Sequence, residues 1–171
     1  SMGVIMSIVT YIQDKKNFKK ETEEREETYR KYIDEKEKQI RSSRENELRI
    51  RNIMNESIGN SIAETMKFGR RLFEKNVEDQ DFLHVYLGTG TVESVNQVSF
   101  TKQDFVDLSD PISELPEKVH DKYRYIENAP IISDFHTSCG IGIVGNKPGL
   151  KQMLKNVTLD LAIRHFYKDV K

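Results

Sequence analysis

With one cysteine, Cys139, the chain can form no internal disulfide, and so little cysteine fits a reducing compartment. It also lacks an excess of charge of either sign: the formal net charge is −1 over 171 residues. Acids and bases interleave, which argues against the one-faced basic footprint of a nucleic-acid binder. No apolar run reaches the roughly 20 residues that a helix needs to cross a bilayer. The longest candidate, Gly3 to Ile12, falls well short of a complete span. Proline and glycine are absent from Asp14 to about Met54, which leaves nothing there to break a helix.

What is present is unevenly placed. The chain is 36% hydrophobic and 32% charged, and the charges crowd into residues 14–51, so a hydrophobic core has to be built mainly from the second half. Strong helix formers across Asp14–Met54 predict one long helix. Its acids stand four residues ahead of bases in Glu21–Arg25, Glu26–Arg30, Glu27–Lys31, Asp34–Lys38, Glu37–Arg41, Glu45–Arg49 and Glu47–Arg51. Each such pair contributes roughly 0.2–0.5 kcal/mol on an exposed helix. Phe18, Tyr29, Tyr32, Ile33, Ile40, Leu48 and Ile50 form a thin apolar seam suited to a single partner helix. Mixed charge of this kind ordinarily marks a solvated face.

The apolar run Gly3–Ile12 is followed at once by Lys15, Lys16, Lys19 and Lys20, with Tyr11 at the junction. That is the pattern of a helix leaving a bilayer on its cytoplasmic side, with the lysines near anionic headgroups. The plainer alternative is an amphipathic helix start or an internal core segment.

After the break at Asn55–Asn60, Ser61-Ile-Ala-Glu64 reads as a capping box opening a second helix to about Lys75. Ile62, Met66, Leu72 and Phe73 would lay it antiparallel on the first helix as a hairpin. Arg70 and Arg71 are either ordinary surface charge or hold the hairpin against carboxylates of the globular part or a neighbouring subunit. Beyond Asp81 the pattern turns to β. Phe82–Leu87 and Thr91–Phe100 are expected as strands joined by a tight turn at Gly88-Thr-Gly90. A loop with Asp107, Ser109, Asp110 and Pro111 leads to a helix over about Ile112–Tyr125, with Pro116 near its first turn. Asn128-Ala-Pro130 is expected as a stop, Ile131–Phe135 and Cys139–Val144 as two more strands, and Pro148–Tyr167 as a last helix, apolar nearly all round and buried on several sides.

The segment Gly140-Ile-Gly-Ile-Val-Gly-Asn-Lys-Pro-Gly-Leu-Lys151 has the order of a buried strand, a glycine loop and a helix, the layout of a phosphate cradle. Set on the pattern G-x-x-x-x-G-K-[ST], it keeps Gly145 and Lys151. Leu150 stands where the second glycine lets the backbone wrap phosphates, and Gln152 where a hydroxyl holds magnesium. The loop, with Lys147 and Gly149 as its other phosphate-loop-like positions, therefore reads as a structural relic; the alternative is weak anion binding at the Gly149 helix start. No intact Walker set is present, and no catalytic residue, metal or cofactor is expected for this chain. His136 and Cys139 have a metal-like spacing but no second pair of ligands. Cys139 is a poor candidate nucleophile on entering a buried strand. His84, His120 and His165 are scattered, and Asp107 with Asp110 suits a turn rather than a catalytic dyad.

Asp81-Phe-Leu-His-Val-Tyr-Leu-Gly-Thr-Gly-Thr91 and Gly140–Lys151 together resemble one family: the EssC/EccC (YukB)-type membrane ATPases of type VII secretion, relatives of the FtsK/SpoIIIE DNA pumps. The run Ile8–Lys20, the phrase Arg70-Arg-Leu-Phe-Glu-Lys75 and Asp160-Leu-Ala-Ile-Arg-His-Phe166 fit the same resemblance. It implies a mixed α/β chain, α+β by composition: a membrane-exit segment at 1–13, a helical hairpin stalk at 14–76, and a degenerate, partial P-loop-like domain at 77–171. The role it implies is a cytoplasmic link between membrane and motors, at the cytoplasmic side of a bacterial membrane. ATP and magnesium would be used by motor domains beyond Lys171. Other secretion membrane subunits would be partners in a hexamer-like assembly, with this part alone monomeric or weakly self-associating. The alternatives are an active nucleotide-binding domain or a free-standing helical adaptor.

Overall fold

The computed structural model describes the backbone of residues 2–99, 112–138 and 140–170, and side chains from Thr10 onward within them. It is a mixed α+β chain with the order α1 (Met2–Met54), α2 (Ile58–Met66), β1 (His84–Glu93), α3 (Leu115–Lys122), β2 (Tyr125–Asp134) and α4 (Lys147–Arg164). The chain divides into two compact units, Ser1–Ser43 with Asn96–Arg124, and Arg44–Val95 with Tyr125–Lys171.

The expected long helix is present and begins earlier, at Met2, because nothing in Gly3–Ile12 interrupts it. Its 53 residues correspond to about 80 Å of helix at a rise of about 1.5 Å per residue. Of the acid-first pairs, Glu27–Lys31 (2.7 Å), Glu37–Arg41 (3.8 Å) and Glu47–Arg51 (2.9 Å) close. In the first unit Glu37 is the polar centre: it accepts from Lys122 Nζ at 2.7 Å and from the Tyr123 hydroxyl at 2.9 Å. Those two hydrogen bonds, the Lys122 one foremost, hold its carboxyl below the usual range. The helix expected over Ile112–Tyr125 is the shorter α3, with Pro116 in its first turn, where a missing N–H costs nothing.

In the second unit β1 and β2 form a two-stranded antiparallel sheet, in register from His84 opposite Asp134 to Glu93 opposite Tyr125. The tight turn expected at Gly88-Thr89-Gly90 does not form: β1 runs straight through it, with register shifts at Tyr86/Gly88 and Gly90/Val92. The glycines serve irregularities in a long strand. Gly88 takes φ 156°, and a Cβ on Gly90 would stand 2.6 Å from Ile131 Cδ1. Nor is Asn128-Ala-Pro130 a stop. It lies inside β2, where Asn128 takes a left-handed φ of 56° and Pro130 sits opposite Thr89. Proline's missing donor is tolerated there because β2 has no second partner strand among the described residues.

Of the strand expected over Thr91–Phe100 only Thr91–Glu93 forms, as the end of β1, and the described part of the strand expected over Cys139–Val144 does not form. Residues 94–99 and 140–144 carry no regular structure, and Val144 is 99% exposed. A phosphate-loop-like strand into Gly145 is thereby corrected. Phe100, Asp107, Ser109, Asp110, Pro111 and Cys139 lie outside the described residues.

The second helix also differs from expectation. It starts at Ile58, capped by Ser57, whose hydroxyl accepts from the Asn60 amide at 3.4 Å. Ser61, expected to cap, is buried within the helix, because burying Ile58 brings the first turn forward. The helix ends at Met66; Phe68 takes the left-handed position that usually falls to glycine, and the Gly69 amide closes on the Glu64 carbonyl at 2.9 Å. This short α2 packs on α4, not as the second arm of a hairpin along α1. The core joins Ile58, Phe82, Val85, Tyr86, Ala129 and Val157. Helix α4 buries one face, with Val157, Asp160, Ile163 and Arg164, while Leu154 is exposed, so the all-round burial expected of it is corrected.

Glu47, 8% exposed on α1, ties that helix to the end of β1 within this unit. It accepts from Ser94 Oγ (2.6 Å), the Val95 amide (3.0 Å) and Arg51 Nε (3.0 Å), with Arg44 3.8 Å away. Burial opposes its ionisation. The hydrogen bonds from Ser94, Val95 and Arg51 outweigh that opposition and hold the carboxyl at about 2.

Candidate functional site

Residues 160 and 164 lie four apart on α4, so the helix sets both side chains on its buried face. Asp160 is 0% and Arg164 2% exposed. Such charges are stable in a core only when other charges and backbone groups satisfy them. Here the partners come from the turn-rich segment after α2, which meets the end of α4 at a single β-bridge between Lys75 and His165. The Phe73 and Lys75 amides donate to the Ile163 and Arg164 carbonyls, and the Phe166 amide returns to the Lys75 carbonyl, each at 2.8 Å. That pairing delivers the Lys75 side chain, 2% exposed, into the same site.

There Lys75 Nζ donates to the His84 carbonyl at 2.8 Å and faces Asp81 at 3.2 Å. Asp160 accepts from the Tyr86 amide at 3.2 Å. Arg164 forks onto Glu74 Oε1 through Nε (2.9 Å) and Nη2 (2.6 Å), donates to the Met54 carbonyl at 3.0 Å, and lies 3.9 Å from Asp160. His165 Nε2 accepts from the Leu83 amide at 3.1 Å, and its ring meets Phe82 edge-on. The physical role of the cluster follows from the strand. The His84 carbonyl and the Tyr86 amide belong to β1, and the charged side chains satisfy those backbone groups inside the core.

The electrostatics agree. Burial raises the Asp160 pKa against the pull of Tyr86, Arg164 and Lys75. Burial and the Arg164 charge lower that of Lys75, against Asp81 and Asp160. Burial, then the Lys75 charge, lowers that of His165, so the imidazole stays neutral and keeps Nε2 as an acceptor. Because the folded pKa lies below the usual 6.5, the unfolded chain takes up this proton first, and the contribution is full above pH 6.5 and falls as pH drops below it. Unfolding by urea is therefore expected to show wild-type stability declining between neutral pH and the folded pKa, and His165→Gln, whose amide oxygen can still accept from Leu83, lacking that decline. Identical pH profiles would contradict the assignment.

The glycine loop is arranged differently. Gly145, Lys147, Gly149 and Lys151 are exposed. The helix begins at Lys147, and Asn146 caps it: its Oδ1 accepts from the Gly149 amide at 2.8 Å, taking the N–H that a phosphate oxygen would need. A Cβ on Gly149 would come within 2.9 Å of that oxygen, so the glycine serves the cap.

Lys15, Lys16, Lys19 and Lys20 are exposed on α1. Arg70 is exposed, whereas Arg71 donates to the Ile53 carbonyl and lies 3.9 Å from Glu56, an intrachain role at the α1–α2 junction. The His136 amide donates to Asp134 at 2.8 Å, and His120 lies 3.0 Å from Asp121. Among the described residues no group of three or more His, Cys, Asp and Glu side chains is placed to hold a metal ion. Sequence reasoning left His165 as one of several scattered histidines and did not single out Lys75, Asp81, Asp160 or Arg164 for a role. The available signal was that three stretches carrying the family resemblance, Arg70–Lys75, Asp81–Thr91 and Asp160–Phe166, each contribute to this one cluster.

No protein-family model matches the chain. It is similar to the type VII secretion system protein EssC of Staphylococcus aureus strain MSSA476, 27% identical over 172 residues, and to the ESX secretion system protein YukB of Bacillus subtilis strain 168, 29% identical over 171 residues. EssC of S. aureus strain NCTC 8325 is 26% identical over 172 residues. Each comparison takes in 99% of this chain and 11% of the relative, so the chain spans about a ninth of the length of the curated relatives it matches. Over 99% of its length the chain is thus similar, at 26–29% identity, to EssC and YukB type VII secretion system proteins, the kind of protein that its motifs resemble.

Proposed function

We propose that this chain is a membrane-proximal cytoplasmic region of a type VII secretion ATPase, an architectural module that links the membrane segment to downstream motor domains and does no nucleotide chemistry itself. The observation that carries this reading is the division of labour among the family-like stretches. Three of them build a buried ion cluster that satisfies the backbone of β1, while the glycine loop is exposed and closed by Asn146. In this reading ATP and magnesium belong to motor domains elsewhere in the full protein, which assembles as a homo-hexamer with other secretion membrane subunits. The four lysines lie on the cytoplasmic side of the bacterial membrane.

The test uses a bacterium whose type VII secretion depends on the protein containing this segment. Lys151→Ala is expected to leave secretion unchanged, and Arg164→Ala to abolish it along with the folded segment. Loss of secretion on Lys151→Ala, with protein level and melting temperature unchanged, would overturn the architectural reading in favour of a nucleotide-binding one.

A further inference from the structure

Residues 10–20 of α1 hold four lysines and one acid, Asp14. At about 100° per residue, Lys15, Lys16, Lys19 and Lys20 spread over an arc of about 140°. All four are exposed. Lys19 and Lys20 lie 3.8 and 3.7 Å from Glu23 and Glu24 in solvated pairs that leave their charge largely available to a stronger anion. Lys15 and Lys16 have no ion pair among the described residues. Apolar side chains stand beside this charge: Tyr11 is 68%, Ile12 58% and Phe18 72% exposed. Aromatic and aliphatic groups on the same turns as a lysine cluster suit the boundary between headgroups and acyl chains. A nucleic acid would use the charge and leave Ile12 and Phe18 in water, and beyond residue 20 the interleaved acids would repel it.

We propose that this end of α1 docks on an anionic phospholipid surface, with Tyr11, Ile12 and Phe18 entering the interface and Lys15, Lys16, Lys19 and Lys20 meeting acidic headgroups. The inference rests on the membrane-proximal placement proposed above and adds the chemistry of the lipid. No helix among the described residues is long and apolar enough to cross a membrane. The proposed docking draws on charge together with the few apolar side chains.

The chain is mixed with vesicles of phosphatidylcholine alone and of phosphatidylcholine with phosphatidylserine, and bound protein is separated by flotation. Binding is expected mainly to the phosphatidylserine vesicles and should weaken as salt rises. Each Lys→Gln change among the four should reduce it roughly fivefold, the equivalent of about 1 kcal/mol per lysine. These exposed substitutions should leave the melting temperature unchanged, which separates lost binding from lost folding. Equal binding to both vesicle types would overturn the headgroup inference and leave the membrane placement standing. Absence of binding to either, by a chain with its normal melting temperature, would overturn both.

Discussion

Arg164→Ala is expected to destabilise the chain by about 3–5 kcal/mol, the usual cost of removing one partner from a buried charge pair. The guanidinium joins three separate pieces of chain: the Glu74 carboxylate, the Met54 carbonyl at the end of α1, and Asp160 one turn earlier on α4. Its loss leaves Asp160, already disfavoured as an anion by burial, with Lys75 as its remaining cationic neighbour. Arg164→Lys should recover little, since one ammonium cannot reproduce the fork onto Glu74 while also reaching Met54. Glu74→Ala removes a partly exposed partner and should cost on the order of 1–2 kcal/mol. Urea unfolding at neutral pH measures all three. A cost below about 1 kcal/mol for Arg164→Ala would show that the cluster is incidental to the fold.

Glu47→Gln is expected to cost on the order of 2–3 kcal/mol at neutral pH, judged from a carboxyl held at about 2 against a usual 4.5 in a largely buried site. The amide can replace one acceptor for Ser94 or Val95, but it removes the negative charge that faces Arg51 and Arg44. The pH dependence has a definite sign. A depressed carboxylate pKa gives stability that is full above the unfolded value near 4.5 and is lost as pH falls towards 2. Wild type should therefore lose stability steeply between pH 4.5 and 2, and Glu47→Gln should lose distinctly less over that interval. Parallel acid-unfolding curves for the two would contradict the assignment.

Helix α1 was legible because its signal is local: no breaker in Asp14–Met54 and charges at helical spacing. The start of α4 and the proline in α3 were legible for the same reason. Where the sequence reading failed, a distant partner overrode a local preference. Gly88-Thr-Gly90 has the composition of a hairpin turn, but a ten-residue β2 was available, and the glycines became paired residues flanking the register shifts within β1. Asn128-Ala-Pro130 looks like punctuation until Thr89 and Gly90 pair with Pro130 and Ala129. Ser61 and Glu64 match a capping box, yet the core position of Ile58 makes Ser57 the cap. The buried cluster was hidden in another way, since nothing in the local sequence singles out Lys75, Asp160 or Arg164. Only the Lys75–His165 pairing, about ninety residues apart in the chain, turns them inward together. In the glycine loop the sequence itself shows Leu150 in place of the second glycine and Gln152 in place of the hydroxyl of a phosphate cradle. That Asn146 would occupy the Gly149 amide could be seen only in the folded chain.

Thermal melting of the chain with and without millimolar Mg-ATP tests most directly whether these motifs serve architecture rather than nucleotide binding. A ligand that binds only the folded state adds about 2.7 kcal/mol at a hundredfold excess over its dissociation constant, enough to shift the melting temperature by several degrees. The account predicts coincident curves for wild type and Lys151→Ala, with and without the nucleotide. A magnesium-dependent rise for wild type that Lys151→Ala abolishes would contradict it.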